Sequence, residues 1–237
     1  MDPSRPLQRT RYQAAKRSRN RRFQARYDRI VRPARRWRAG REVRAHGGSA
    51  GVDGVRLADV EQQGVAACLP AREHDRRAGS DRPQPVRRVS RPTPDGRQRP
   101  RGMPTVRDRV VQQACKIGIE PIGEANCQHT AYGVRPRRRA PPAVQVVKAQ
   151  LVSHGSVVDV DIAGCCDTRD HELLRRCGAR RSSDRRVLQR RRQWVQAGVV
   201  EEGQWCPTTM GSPQGGVLSP LWATIYGQGW EMYWAQP

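Results

Sequence analysis

Residues 208–220 read TTMGSPQGGVLSP, with three glycines and two prolines in thirteen positions. Glycine lets the backbone approach a neighbour or a ligand closely. The stretch predicts a tight loop over 211–216 that opens a last helix, and alone it is equally an ordinary turn. Just upstream, Val199-Val200, Gly203 and the run from Trp205 to Met210 predict a hairpin. Before that, Ser183 to Ala197 reads as a helix with Val187, Leu188, Trp194 and Val195 on one stripe. Arg191 falls in the middle of that stripe, where an apolar residue is expected. Val158-Asp159-Val160-Asp161-Ile162 alternates strictly, which predicts a strand with both carboxylates on one face.

The first half of the chain carries its own signals. Thr105 to Gly123 reads as a helix, capped by Thr105 with Asp108 three residues on. Val106, Val110, Ala114 and Ile117 recur at helical spacing, and Pro121 limits the end. A second helix is expected over 142–151, with Val144, Val147 and Leu151 on one face. Pro85 to Val89 reads as a strand and Pro94-Asp95-Gly96 as a turn. Arg87, Arg88, Arg97, Arg99 and Arg101 flank that turn. They form either a basic hairpin that closes on phosphates or a solvated loop. Residues 46–54 read as a Gly-rich turn, and 69–83 as a loop.

Composition bounds the function classes. Leu, Ile, Val and Phe number only 40 of 237 residues, and the formal charge is +23, carried by 42 Arg and 3 Lys. So few large apolar residues under so high a charge predict a poor core. The Arg excess suits a polyanion, because the planar guanidinium donates two bonds to one phosphate. A coding bias toward Arg is the plainer reading, and the two can coexist. Residues 1–45 hold 15 Arg and one Lys against three acids. They read as a disordered basic arm or as a helical RNA-contacting extension. The seven Cys contain no C-x-x-C pair, which disfavours zinc and predicts reduced intracellular thiols. There is no apolar run of about 18 residues and no signal-peptide core, so neither a membrane span nor export is expected.

Taken together and in order, these motifs resemble the bacterial group II intron reverse transcriptase/maturases. The resemblance runs from near Trp37 to the last residue, through GSAGVDGVRLADVEQQGV, PVRRV, PDGRQRP, PTVRDRVVQQACK, VVDVDI, SDRRVL, RQWVQAGVVEEGQW and TTMGSPQGGVLSP. It implies an α+β right-hand polymerase fold, with a basic arm at 1–45, fingers over 46–152 and a partial palm over 153–237. It implies an RNA-directed DNA polymerase, a nucleotidyltransferase that joins nucleotides with two Mg2+ ions. Intron RNA as template, a DNA primer and dNTPs are the implied partners, and the cytoplasm the implied location. Asp161 matches the first palm carboxylate, the catalytic metal ligand, and the Ile162 carbonyl helps hold a metal. Arg99 matches the fingers arginine on the incoming triphosphate. Gln214 and Gly215 match the loop beside nucleotide and template. Cys166 stands at the steric gate under the sugar. Tyr132, Arg135 and Pro136 match a turn of the fingers.

Departures from the family are equally plain. Its Tyr-Ala-Asp-Asp box, source of the other carboxylates, lies beyond Pro237, so this chain alone is expected not to extend a primer. Thr93 replaces a phosphate-binding Lys. Arg101, Arg191, Cys127, Cys166, Val134 and Trp222 stand where the family has Leu or Phe, each one T→G change away. The pattern suggests a decaying gene copy in which those positions are damaged core. A non-catalytic basic RNA-binding fragment, or a pseudogene product without function, is the alternative reading.

Overall fold

The computed structural model describes residues 4–24, 27, 32–62, 82–212 and 214–234. In chain order the elements are α1 (Ser4–Arg17), α2 (Pro33–His46), α3 (Leu57–Gln62), β1 (Val86–Pro92), β2 (Gln98–Met103), α4 (Val106–Glu124), α5 (Ala140–Leu151), α6 (His171–Ala179), α7 (Arg185–Val195), β3 (Val199–Glu201), β4 (Gln204–Cys206) and α8 (Ser219–Trp234). One mixed sheet has the order β2-β1-β3-β4. β1 and β2 form an antiparallel hairpin, β3 and β4 a second one, and a short parallel pairing of β1 with β3 joins them.

α4 is the central helix. Thirteen of its nineteen residues are buried, so it is packed nearly all round rather than along one stripe. The Thr105 hydroxyl accepts from the Asp108 N–H at 3.1 Å, which satisfies one orphan donor of the first turn. Pro121 lies inside the helix, which continues to Glu124. A proline has no N–H for the carbonyl four residues back, here that of Ile117. Gln8 Nε2 donates to that carbonyl at 3.2 Å, and Arg11 Nη1 donates to the next one, Gly118, at 2.6 Å. α1 therefore docks where the proline leaves acceptors open. The described residues of this segment include two helices, α1 and α2, which both pack on α4, and Ala15 and Ala39 are fully buried.

The core gathers Val110, Ala114 and Ile117 of α4 with Val43, Leu174, Val187 and Trp194, and closes on Leu221 and Trp222 of α8. The hairpins, the α4 cap, α7 and the loop into α8 lie where the sequence places them. α6 has no counterpart in the sequence reading; its signal is Asp170, whose side chain caps it by accepting from the Leu173 N–H at 2.6 Å. Most of the 69–83 loop prediction (69–81) falls outside the described residues.

One expectation fails. Residues 158–162 are not a strand: they run without regular structure, and Val158, Val160 and Ile162 are exposed. Alternation selects a strand only where a neighbour pairs its backbone, and among the described residues none lies alongside. The antiparallel palm sheet expected around Asp161 is therefore not formed by these residues, and the observed sheet is small and mixed. α5 forms as expected, yet none of its residues is buried. Its apolar face has no cover among the described residues.

The positions read as damaged core divide. Arg191, Cys127 and Trp222 are buried, Cys166 is half-buried, and Arg101 and Val134 are exposed. Arg191 and Trp222 meet: the guanidinium stacks over the indole at 3.8 Å and donates to the Leu174 carbonyl at 3.2 Å. Burial pushes the Arg191 guanidinium down to about 9, so folding opposes its charge and the cost is fully present at pH 7. Arg191→Leu is expected to raise stability by about 1–3 kcal/mol, since an apolar replacement of a buried charge is commonly favourable. Arg101→Leu, at an exposed site, should stay within about 0.5 kcal/mol. Denaturant melting of both variants checks this; equal effects would remove the distinction.

Candidate nucleic-acid interface

The β1–β2 register sets the side chains of the site. Arg87 lies opposite Met103, Val89 opposite Arg101, and Arg91 opposite Arg99. Directly opposed residues share a face, so the hairpin presents a row of arginines on one side. β2 is the free edge of the sheet, and the Gly-rich loop covers it. The Gly102 N–H donates to the Gln214 carbonyl at 2.7 Å. With its amide oriented to satisfy both ends, Gln214 donates to the Pro100 carbonyl at 2.9 Å and accepts from Arg99 Nη2 at 2.9 Å and Nε at 3.1 Å. Gly215 has φ +108°, and a Cβ there would sit 2.8 Å from the Gly102 carbonyl oxygen. Glycine is thus required for the loop to reach the strand.

A groove of about 600 Å³ lies between this hairpin and α4. His46, Arg87, Arg91, Arg101, Arg109 and Lys116 line it, and among the described residues no Asp or Glu does. Two glycine turns, 47–48 and 215–216, form parts of its wall. Arg109 braces the first turn by donating to the carbonyls of Gly47 (3.3 Å) and Ser49 (2.7 Å). Burial lowers its pKa, and Asp53 partly offsets the shift. Lys116 pairs with Glu120 at 3.7 Å. Arg87 lends one N–H to the Met103 sulfur at 3.8 Å, while its Nε is buried without a partner. Arg91 and Arg101 are exposed. The groove is therefore a concentration of positive charge with fork-shaped donors, the complement of a phosphate chain.

Among the residues singled out by sequence, Arg99, Gln214 and Gly215 come together at the β2 edge. Cys166 joins them through the loop, its carbonyl accepting from the Ser212 N–H at 2.7 Å. Asp161 is not brought in: it is exposed, outside any strand. The Ile162 carbonyl accepts from the Cys165 N–H at 3.3 Å, closing a turn. Carboxylate and carbonyl oxygens are the right donors for Mg2+, but among the described residues no group of three or more metal-binding side chains assembles. The described residues thus do not fit the expected two-ion site. Arg135 has a structural task, clasping Glu124 at 2.6 Å. Thr93 and Asp95 bond within the β-turn, which lowers the Asp95 pKa. Sequence reasoning missed Arg169, 2% exposed, whose Nη1 donates to Ser212 Oγ (3.1 Å) and the Ser219 carbonyl (3.3 Å). No periodicity marks it, since it lies outside any helix or strand. Among the described residues, no helix is long and apolar enough to cross a membrane.

Comparison with known proteins gives a consistent set of relatives. The Escherichia coli protein YkfC is 35% identical over 188 residues, covering 77% of this chain and 49% of YkfC. The group II intron-encoded protein LtrA of Lactococcus lactis is 36% identical over 149 residues, 62% of this chain and 25% of LtrA. A 91 kDa protein of the Schizosaccharomyces pombe cob intron is 29% identical over 142 residues, 60% of this chain and 18% of that protein. The matches thus span half or less of these relatives' own length. No family model matches the chain.

The loop–strand contact makes a local test. Gly215→Ala adds both a positive-φ strain and a collision with Gly102, whereas Gly96→Ala adds only the strain, as nothing lies within 4 Å there. Gly96→Ala should cost about 1 kcal/mol and Gly215→Ala about 2–3 kcal/mol. Denaturant midpoints of the two variants measure the difference, and equal costs would mean that the loop does not press on β2.

Proposed function

We propose that this chain, a relative of the group II intron-encoded proteins, is the part of an RNA-directed DNA polymerase that grips its template. The groove takes the phosphate backbone of RNA. Arg99, held by Gln214 at the β2 edge, offers its remaining donors to the triphosphate of an incoming nucleotide, and Cys166 is tied to the loop that flanks it. The observation that carries the reading is a groove of about 600 Å³ that, among the described residues, is lined by six basic side chains and no carboxylate. The fork geometry of Arg supports phosphate over a carboxylate ligand of small size, because the row of arginines extends along a whole hairpin.

This reading assigns binding rather than bond-making to the chain as it stands. In the family reading Mg2+ supplies the nucleophile's activation and the charge for the leaving phosphate. Here Asp161 and the Ile162 carbonyl would contribute oxygens to such an ion. The described residues bring no second carboxylate to them. The non-catalytic RNA-binding alternative is favoured by that same exposure of Asp161.

Binding of a single-stranded RNA should weaken steeply with salt, because each neutralised phosphate releases counterions. Replacing Arg87, Arg91 and Arg101 together by Ala should cut the slope of log K against log salt by about 2, the loss of about three contacts to a single strand. The control removes three exposed arginines elsewhere, Arg139, Arg180 and Arg185. A control variant that loses as much slope as the groove variant would mean that diffuse charge, and not the groove, holds the RNA.

A further inference from the structure

Cys165 and Cys166 occupy the turn over 163–167, and both are free, half-buried thiols. Their sulfurs converge on one nitrogen: Arg169 Nη2 donates to Cys165 Sγ at 3.5 Å and to Cys166 Sγ at 3.6 Å. Arg169 is 2% exposed, its other terminal nitrogen is committed to Ser212 and Ser219, and its Nε has no partner. Among the described residues no carboxylate pairs with it. The guanidinium is thus a fixed backstop that holds two soft sulfur atoms side by side, each still reachable from solvent.

The spacing selects what these sulfurs take. Cα atoms of adjacent residues are about 3.8 Å apart, below the range of about 4.4–6.8 Å over which disulfides ordinarily close. A direct S–S bond is therefore strained, and a third atom that bridges the sulfurs relieves the constraint. Zinc asks for four ligands, and no group of three metal-binding side chains exists among the described residues. A soft centre that needs only two sulfurs fits the pair, since thiolate ligands select soft partners.

We propose that Cys165 and Cys166 form a chelating site for trivalent arsenicals of the type R–As=O. Each sulfur forms one bond to arsenic. The arsenic–oxygen bonds break, and the oxide leaves as water with the two thiol protons. Arsenic stays trivalent, so no oxidant or reductant is consumed. The product is a five-atom bridge of two Cβ, two sulfurs and arsenic beside Ser212.

The test treats the full 237-residue chain with one equivalent of phenylarsine oxide and reads intact mass and free thiols. The expected result is a single adduct with loss of two thiols, resistant to excess monothiol and released by 2,3-dimercaptopropanol. Proteolytic mapping should place it on a peptide containing 163–169. Cys165→Ser and Cys166→Ser should each abolish the monothiol-resistant adduct, while Cys177→Ser and Cys206→Ser leave it. An adduct that monothiol strips, or one that maps to other cysteines, overturns the proposal. The mapping on unmutated chain decides the matter even where a variant does not fold. Because the readout is mass, its outcome is independent of whether the groove binds RNA.

Discussion

One buried helix organises the described structure, and its polar groups dictate what packs against it. A helix surrounded on nearly all sides cannot leave donors or acceptors to water. Pro121 removes the donor for the Ile117 carbonyl, and Gln8 and Arg11 bring α1 across to serve it and its neighbour. Thr105 ties the N-terminus to Asp108. Arg109 reaches out to the turn after α2, and Gln112 accepts from the Val217 N–H at 3.2 Å in the loop before α8. The two glycine turns that wall the basic groove are thus fixed by polar side chains of adjacent turns of α4. Core and candidate site are the same construction.

A chain so poor in large apolar residues builds that core partly from arginine. Arg11, Arg109, Arg169 and Arg191 are all buried, and each spends guanidinium N–H groups on backbone carbonyls. The long aliphatic stem packs while the head finds acceptors. Such carbonyl-bonded cations hold loops and helix ends together, but each carries a desolvation cost that a Leu or Phe would not. The Arg191–Trp222 stack illustrates the balance: the buried guanidinium lies over the indole, and that contact offsets part of its desolvation.

Local signals were legible where local physics suffices. Periodicity and the Thr105–Asp108 pair located α4, the strand signal at 85–89 with the Pro94-Asp95-Gly96 turn located the first hairpin, and glycine spacing located the loop that meets β2. What sequence could not supply was partnership. Asp159 and Asp161 alternate with valines as a strand requires, but strand formation depends on a neighbour that the described residues do not provide. Arg101 reads as a displaced core residue, yet it lies on an exposed arginine row. Arg169 is invisible in any pattern and becomes meaningful only through Ser212, 43 positions away.

α4 holds a packed body together despite the charge. Hydrogen–deuterium exchange of the 237-residue chain, resolved by peptide, tests it most directly. Amides of 110–122 should be the slowest to exchange, those of 6–15 protected with them, and those of 152–162 should exchange within the earliest time points. Uniformly fast exchange across 106–124, matching 152–162, would contradict it.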